Sequence, residues 1–232
     1  ACLRDDFERR LETIVTWAEQ IGAQTVLIVP PANDSGFEPS RSFLAPQTGR
    51  DARARFAAGF RTARLLEAWS PAGSIARYRD LLAAQPDFAE AHYRLGRLLE
   101  QAGRFQEAYE QDMMARDRDG LPMRCPTAFQ DVYRTVAARH PVVLIDGQAY
   151  FHAIARHGLL DNVLFLDAMH PSLRGHIALA QAVLGALRAT GAFGWPTGTP
   201  PVQLAPSEVA AHFHIDSTSG SRCAPGASCS TT

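Results

Sequence analysis

The chain of 232 residues contains no lysine: all 23 of its basic residues are arginine. With no primary amine on any side chain, Schiff-base chemistry and a P-loop lysine are both excluded. The same bias fits the codon usage of a GC-rich genome. Cysteine is scarce, and Cys2, Cys125, Cys223 and Cys229 form no CxxC, which argues against a zinc site. Cys223 and Cys229 could close a small loop in an oxidising compartment or stay free in the tail, and both readings stand. No apolar run approaches the roughly 18 residues that a membrane span needs, and no signal peptide is recognisable. A net charge of -1 gives no reason to expect nucleic acid or an anionic membrane surface as a partner. What is present is an ordinary globular balance, 46% hydrophobic and 20% charged, enough for a core built without disulfides or metals.

Residues 5–21 have the period of an amphipathic helix, with Phe7, Leu11, Ile14, Ala18 and Ile21 as its apolar stripe and Gly22 as its stop. Thr25 to Val29 is a short β-branched run of the kind buried on both faces of a parallel sheet, ended by Pro30 and Pro31. Residues 51–119 are helical in character. Phe129, Val132, Tyr133 and Val136 mark another helix, and Val142 to Ile145 a second strand ending in Asp146. A last helix is predicted over about 172–189 behind Pro171 and Ser172, with Leu173, Ile177, Ala180, Leu184 and Leu187 as its stripe. A short helix over Ser207 to Phe213 and disorder from Ser217 are expected in the Pro- and Ser-rich tail.

Within the helical block, Leu95, Leu98, Leu99 and Ala102 lie on one helix, Gly103 breaks it, and Phe105, Ala108, Tyr109 and Met113 lie on the next. Tyr93, Leu95–Gly96, Gly103, Phe105, Ala108 and Ala115 together resemble a tetratricopeptide repeat, with a degenerate partner over Ser74–Ala84. That resemblance implies either a groove for a peptide or protein partner, or a helical decoration walling a cleft. The second needs fewer repeats than the roughly three a free-standing array requires.

The segment Asp167-Ala-Met-His170-Pro171, between an apolar run and a helix start, carries the chemistry. Three residues apart in a turn, the carboxylate can orient the imidazole and stabilise its charged form, so that His170 serves as general base for a hydroxyl on another loop. This DxxHP before the final helix resembles the GDSL/SGNH hydrolases, in particular the subgroup with inserted tetratricopeptide repeats. Val29-Pro-Pro-Ala-Asn33, Ala115-Arg-Asp-Arg-Asp119, Arg124 and Ile145-Asp146 match that subgroup in order.

The resemblance implies an α/β fold: the C-terminal part of a doubly wound parallel sheet of SGNH or flavodoxin-like type. Its segments would be 1–50 and 120–194, with the insert at 51–119 and a tail at 195–232. It implies ester hydrolysis through an acyl-serine, with Asp167 and His170 as catalytic residues, a small-molecule, carbohydrate or lipid ester as substrate, and no metal or organic cofactor. No GDS, GxND or GHNE occurs in the chain. The nucleophile, the oxyanion-hole motifs and further strands are therefore expected upstream of Ala1. The rival reading is a repeat-based binding scaffold without catalysis.

Other candidates have plainer readings beside the functional one. Ser35, in Asn33-Asp-Ser-Gly36, is a rival nucleophile or a turn serine. Asp146 is a site acid or a turn residue. His212 and His214 are a chelating pair without a third ligand or simply tail residues. His152 and His157 line the cleft or do not. Arg124 and Arg174 pair with acids near the site or lie on the surface, and Asn33 touches the cleft from the strand end.

Overall fold

The computed structural model describes residues 3–197 and 204–213. Helix α1 (Leu3–Gln20) opens with Asp5 and Asp6, carboxylates that suit the positive end of the helix dipole. Its buried face is Phe7, Leu11 and Val15, and Val15 is completely covered. Ile14 and Ile21, expected on the inner stripe, stand 61% and 60% exposed. Strand β1 (Val26–Val29) pairs in parallel with β2 (Val143–Asp146), in a register that sets Val26 beside Val143 and Val29 beside Asp146. Leu27 meets Val15 of α1 and Val132 and Val136 of α6 (Thr127–Ala137) in one apolar cluster.

Between the two strands run α2 (Arg50–Trp69), α3 (Pro71–Ala84), α4 (Ala89–Gln101) and α5 (Phe105–Asp117). They share a core of their own, with Phe56, Ile75, Tyr78, Leu95, Leu98, Leu99 and Ala108 among its members. The turn from α4 to α5 passes through Gly103 at φ +72, a left-handed conformation that side chains resist. After β2 come α7 (Gly147–Ile154), α8 (Leu173–Ala189) and α9 (Pro206–His212). Phe151, Leu160, Leu164, Phe165 and Ala178 form a third cluster, against which Tyr109 of α5 packs.

The doubly wound α/β fold expected from the resemblance does not form. The described residues are 62% helical, and their sheet has only two strands, too few for helices to wind over in two directions. The apolar run before Asp167 shows why no third strand appears. Phe165 makes an isolated antiparallel bridge to Pro171, and the Ser172 N–H donates to the Leu164 carbonyl at 2.8 Å. The run is therefore satisfied by its own return and offers no ladder to β2. Among the described residues no helix is long and apolar enough to cross a membrane. Cys2, His214, Cys223, Cys229 and the segment from Ser217 lie outside the described residues.

One buried ion pair joins the helical block to the strands. Leaving β1, the chain runs through Pro30–Gly36, where Asp34 meets Arg116 of α5 at 2.9 and 3.1 Å, a two-oxygen contact between side chains almost wholly out of water. The Gln148 amide donates to the same carboxylate at 2.7 Å, and Arg116 also reaches Thr127 and Asp117. Burial pushes Asp34 up from the usual carboxylate range, while Arg116, Arg124 and Gln148 pull the other way. Burial also works against the Arg116 charge, yet Asp34 and Asp117 hold its proton more firmly than usual. Removing one partner strands the other charge in the interior. Arg116→Met is therefore expected to cost about 3–5 kcal/mol, read from the urea unfolding midpoint. A joint Asp34→Leu and Arg116→Met replacement should recover much of that loss.

Candidate active site

The loop from 161 to 172 is built by its own short-range bonds. The Leu166 N–H donates to the His170 carbonyl at 2.8 Å, closing a tight turn over Asp167, Ala168 and Met169. Beyond it, the Ser172 hydroxyl accepts the Gly175 N–H at 3.2 Å and so caps α8, the use for which a serine before a helix is suited. Gly175 must lack a side chain here, because a Cβ would meet the Leu164 carbonyl and lie 2.8 Å from Pro171 Cβ. The first turn of α8 therefore packs directly on the turn that carries His170.

Within the turn, Asp167 Oδ1 accepts the Met169 N–H at 3.0 Å and the His170 N–H at 2.9 Å. Its Oδ2 lies 2.8 Å from His170 Nδ1. An ionised carboxylate only accepts hydrogen bonds, so the network assigns the ring proton to Nδ1 and leaves Nε2 with its lone pair outward. Among the described residues Nε2 has no hydrogen-bond partner, and the His170 and Asp167 side chains are 70% and 44% exposed. Desolvation is the largest single influence on the Asp167 pKa, and it raises it. The N–H groups of His170 and Met169 and the imidazole more than offset this and bring it down to about 2. The pair thus presents an oriented ring, an assigned tautomer and a nitrogen with no hydrogen-bond partner among the described residues.

The remaining candidates fall into place around this turn. Asn33 reaches it directly, its side-chain amide donating to the Asp167 carbonyl at 2.9 Å. Arg124 is buried and donates Nη1 to the carbonyls of Asn33 and Asp34 at 3.1 and 3.2 Å, pinning the loop from below. Ser35 is also buried, and its hydroxyl donates to the Leu160 carbonyl at 3.1 Å, the geometry of a loop tie. Asp146 caps α7 through the Ala149 N–H and pairs with Arg134 at 2.8 Å. His152 stacks on Tyr109, and its Nδ1 bonds the Gly158 carbonyl at 2.7 Å; His157 stacks on Phe105. Both therefore join α5 to the segment after α7. Arg174 is exposed on α8, and His212 makes an edge contact with Phe213. Among the described residues no three His, Cys, Asp or Glu side chains gather as a metal would require. A cavity of about 310 Å³ lies elsewhere, between α3, α4 and α5, with Leu95 and Leu99 in its wall.

Sequence reasoning missed Asp34, Arg116, Gln130, Gln148 and Asn162 as supports of this region. One signal was available for Arg116. On α5 it continues the spacing of Ala108 and Asp112, so a helical period places two charges on an inward face. Charges there call for partners.

Asp167 has a folded pKa below its ordinary 3.8, so its interactions stabilise the turn above that value and are lost as pH falls towards about 2. A ¹³C NMR titration of the carboxyl should show the depressed midpoint. His170→Ala keeps both N–H donors and should raise that midpoint only part of the way to 3.8. No protein-family model, no curated protein and no solved structure matches the chain, so the turn stands on its own geometry.

Proposed function

We propose that Asp167 and His170 are the acid and base of a serine hydrolase acting on ester bonds, the nucleophilic hydroxyl being supplied by a segment outside these 232 residues. The observation that carries the reading is the imidazole itself, held through Nδ1 by a carboxylate at 2.8 Å with Nε2 bare and exposed. The order of DxxHP, helix and preceding motifs resembles GDSL/SGNH hydrolases and supports the same chemistry. In the reaction, His170 Nε2 takes the proton of the serine hydroxyl as its oxygen attacks the ester carbonyl. Asp167 stabilises the imidazolium, which then protonates the departing alcohol. Water repeats the sequence on the acyl-serine. Among the described residues no serine hydroxyl bonds to His170, so within this proposal the chain supplies the base half of the machinery. The substrate is an ester of a small molecule, carbohydrate or lipid.

A second reading has its own observation. The cavity of about 310 Å³ between α3, α4 and α5 is floored by Leu95 and Leu99 and edged by Arg79, Glu107 and Glu110. That mix of apolar floor and charged rim suits a peptide from a protein partner, as a repeat-based scaffold would bind.

Treating the natural polypeptide that contains this sequence with a fluorophosphonate probe separates the two. The hydrolase reading expects one labelled serine, with ester turnover falling about 10⁴-fold for Asp167→Asn and about 10⁶-fold for His170→Ala. Failure of the folded polypeptide to label, or labelling indifferent to His170→Ala, overturns it and leaves the scaffold.

A further inference from the structure

Asn33 is completely buried, yet it lies far along the chain from the turn it serves. Its backbone N–H donates to the Ala168 carbonyl at 3.1 Å. Its side-chain Nδ2 donates to the Asp167 carbonyl at 2.9 Å and to Asn162 Oδ1 at 2.8 Å. Its Oδ1 accepts the Gly36 N–H at 3.0 Å. Every donor that Asn33 owns therefore ends on the His170 turn or on the loop just before it. Its own carbonyl is held in turn by Arg124 Nη1.

The residue type follows from this pattern. Two hydrogens must reach two oxygen acceptors while one oxygen receives an N–H, and a carboxamide supplies that set. An aspartate would turn an anionic oxygen towards the Asp167 carbonyl and Asn162 Oδ1. An alanine would remove both donors, leaving the Asp167 carbonyl without its Asn33 partner and the exposed Asn162 Oδ1 to water.

We infer that Asn33 is a positioning residue for the base: by gripping the main chain at Asp167 and Ala168, it sets the angle at which the Asp167 carboxylate meets the imidazole, and so keeps His170 in the Nδ1–H tautomer. The inference rests on the proposed acid–base role of that pair. The Asp167 carboxylate receives two N–H groups and the ring at once only in one disposition of residues 167–170. Local bonds close that turn, but the Asn33 contacts fix it against the rest of the molecule. Rotation of the Asp167 peptide would carry the carboxylate off the ring and release Nδ1.

The test is ¹⁵N NMR of the imidazole nitrogens at alkaline pH, where histidine is neutral and the two tautomers give distinct shifts. The wild-type chain should show His170 protonated at Nδ1. Asn33→Ala should move it towards the Nε2–H form, whereas Ser35→Ala, which cuts a different tie of the same loop, should leave it in place. A folded Asn33→Ala protein with an unmoved tautomer overturns the inference. Should that variant not fold, scalar coupling across the hydrogen bond from Asn33 Nδ2 to the Asp167 carbonyl carbon is read in the wild type, and its absence overturns the inference equally. In the polypeptide that labels, Asn33→Ala is expected to lower kcat about 10²-fold with little change in KM. The tautomer measurement needs no turnover. A shifted tautomer without acyl transfer would remove the hydrolase reading and keep the positioning role; a labelled serine with an unmoved tautomer would do the reverse.

Discussion

Asp34 is a carboxylate without access to water, and the described structure is arranged so that it is never alone. Arg116 comes from the end of α5, Gln148 from the first turn of α7, and Arg124 grips the carbonyl beside it from the loop before α6. The same short stretch of chain is tied at nearly every residue. Gln130 donates to the Pro30 carbonyl, Gln148 Oε1 accepts the Ala32 N–H, and Ser35 bonds Leu160 through both its N–H and its hydroxyl. Two successive prolines cannot donate at all, so they suit a segment held by side chains instead of a ladder. A charge buried this deeply tolerates no loosening of its partners, and that intolerance transmits order from the helical block to the loop.

The consequence reaches the imidazole in one further step. Asn33 sits beside Asp34 in sequence, so whatever fixes Asp34 fixes Asn33, and Asn33 holds the Asp167 turn. The helices between the strands are thus more than an addition to the surface. Arg116 and Arg124 lie at the end of that block and just beyond it, and both terminate on the Asn33–Asp34 peptide or its side chain. The ion pair does not touch His170, yet Asp34 adjoins in sequence the residue that bonds the Asp167 and Ala168 carbonyls.

The parts of this arrangement differ in how well the sequence displays them. The Asp167–His170 contact spans three residues and closes within a single turn, so spacing alone exposes it. The two strands announce themselves through β-branched runs, and α8 through Pro171 and Ser172. The buried stripe of α1 is shifted from the expected one because Val15, rather than Ile14, continues the spacing of four from Phe7 and Leu11. The contacts of Asn33 with Asp167 and of Asp34 with Arg116 join residues 134 and 82 positions apart. No local period encodes such pairs; only the folded geometry does. The doubly wound sheet that the resemblance implies is likewise not written in any local pattern: among the described residues the two strands pair only with each other, and Val163–Leu166 spends its hydrogen bonds on its own turn.

An exposed imidazole is also an incomplete base. With His170 70% exposed, water competes for Nε2, and proton transfer to a solvated nitrogen gains little from the carboxylate behind it. Leu166 and Met169 belong to the same turn and are 42% and 43% exposed. On the hydrolase reading, these two apolar side chains make the site workable. A segment that brings a serine to Nε2 would cover them in the same movement, displacing water from the ring and strengthening the pull of Asp167 in the drier surroundings. The turn would then need no rearrangement to act, since tautomer, angle and free lone pair are already set by bonds within the described chain.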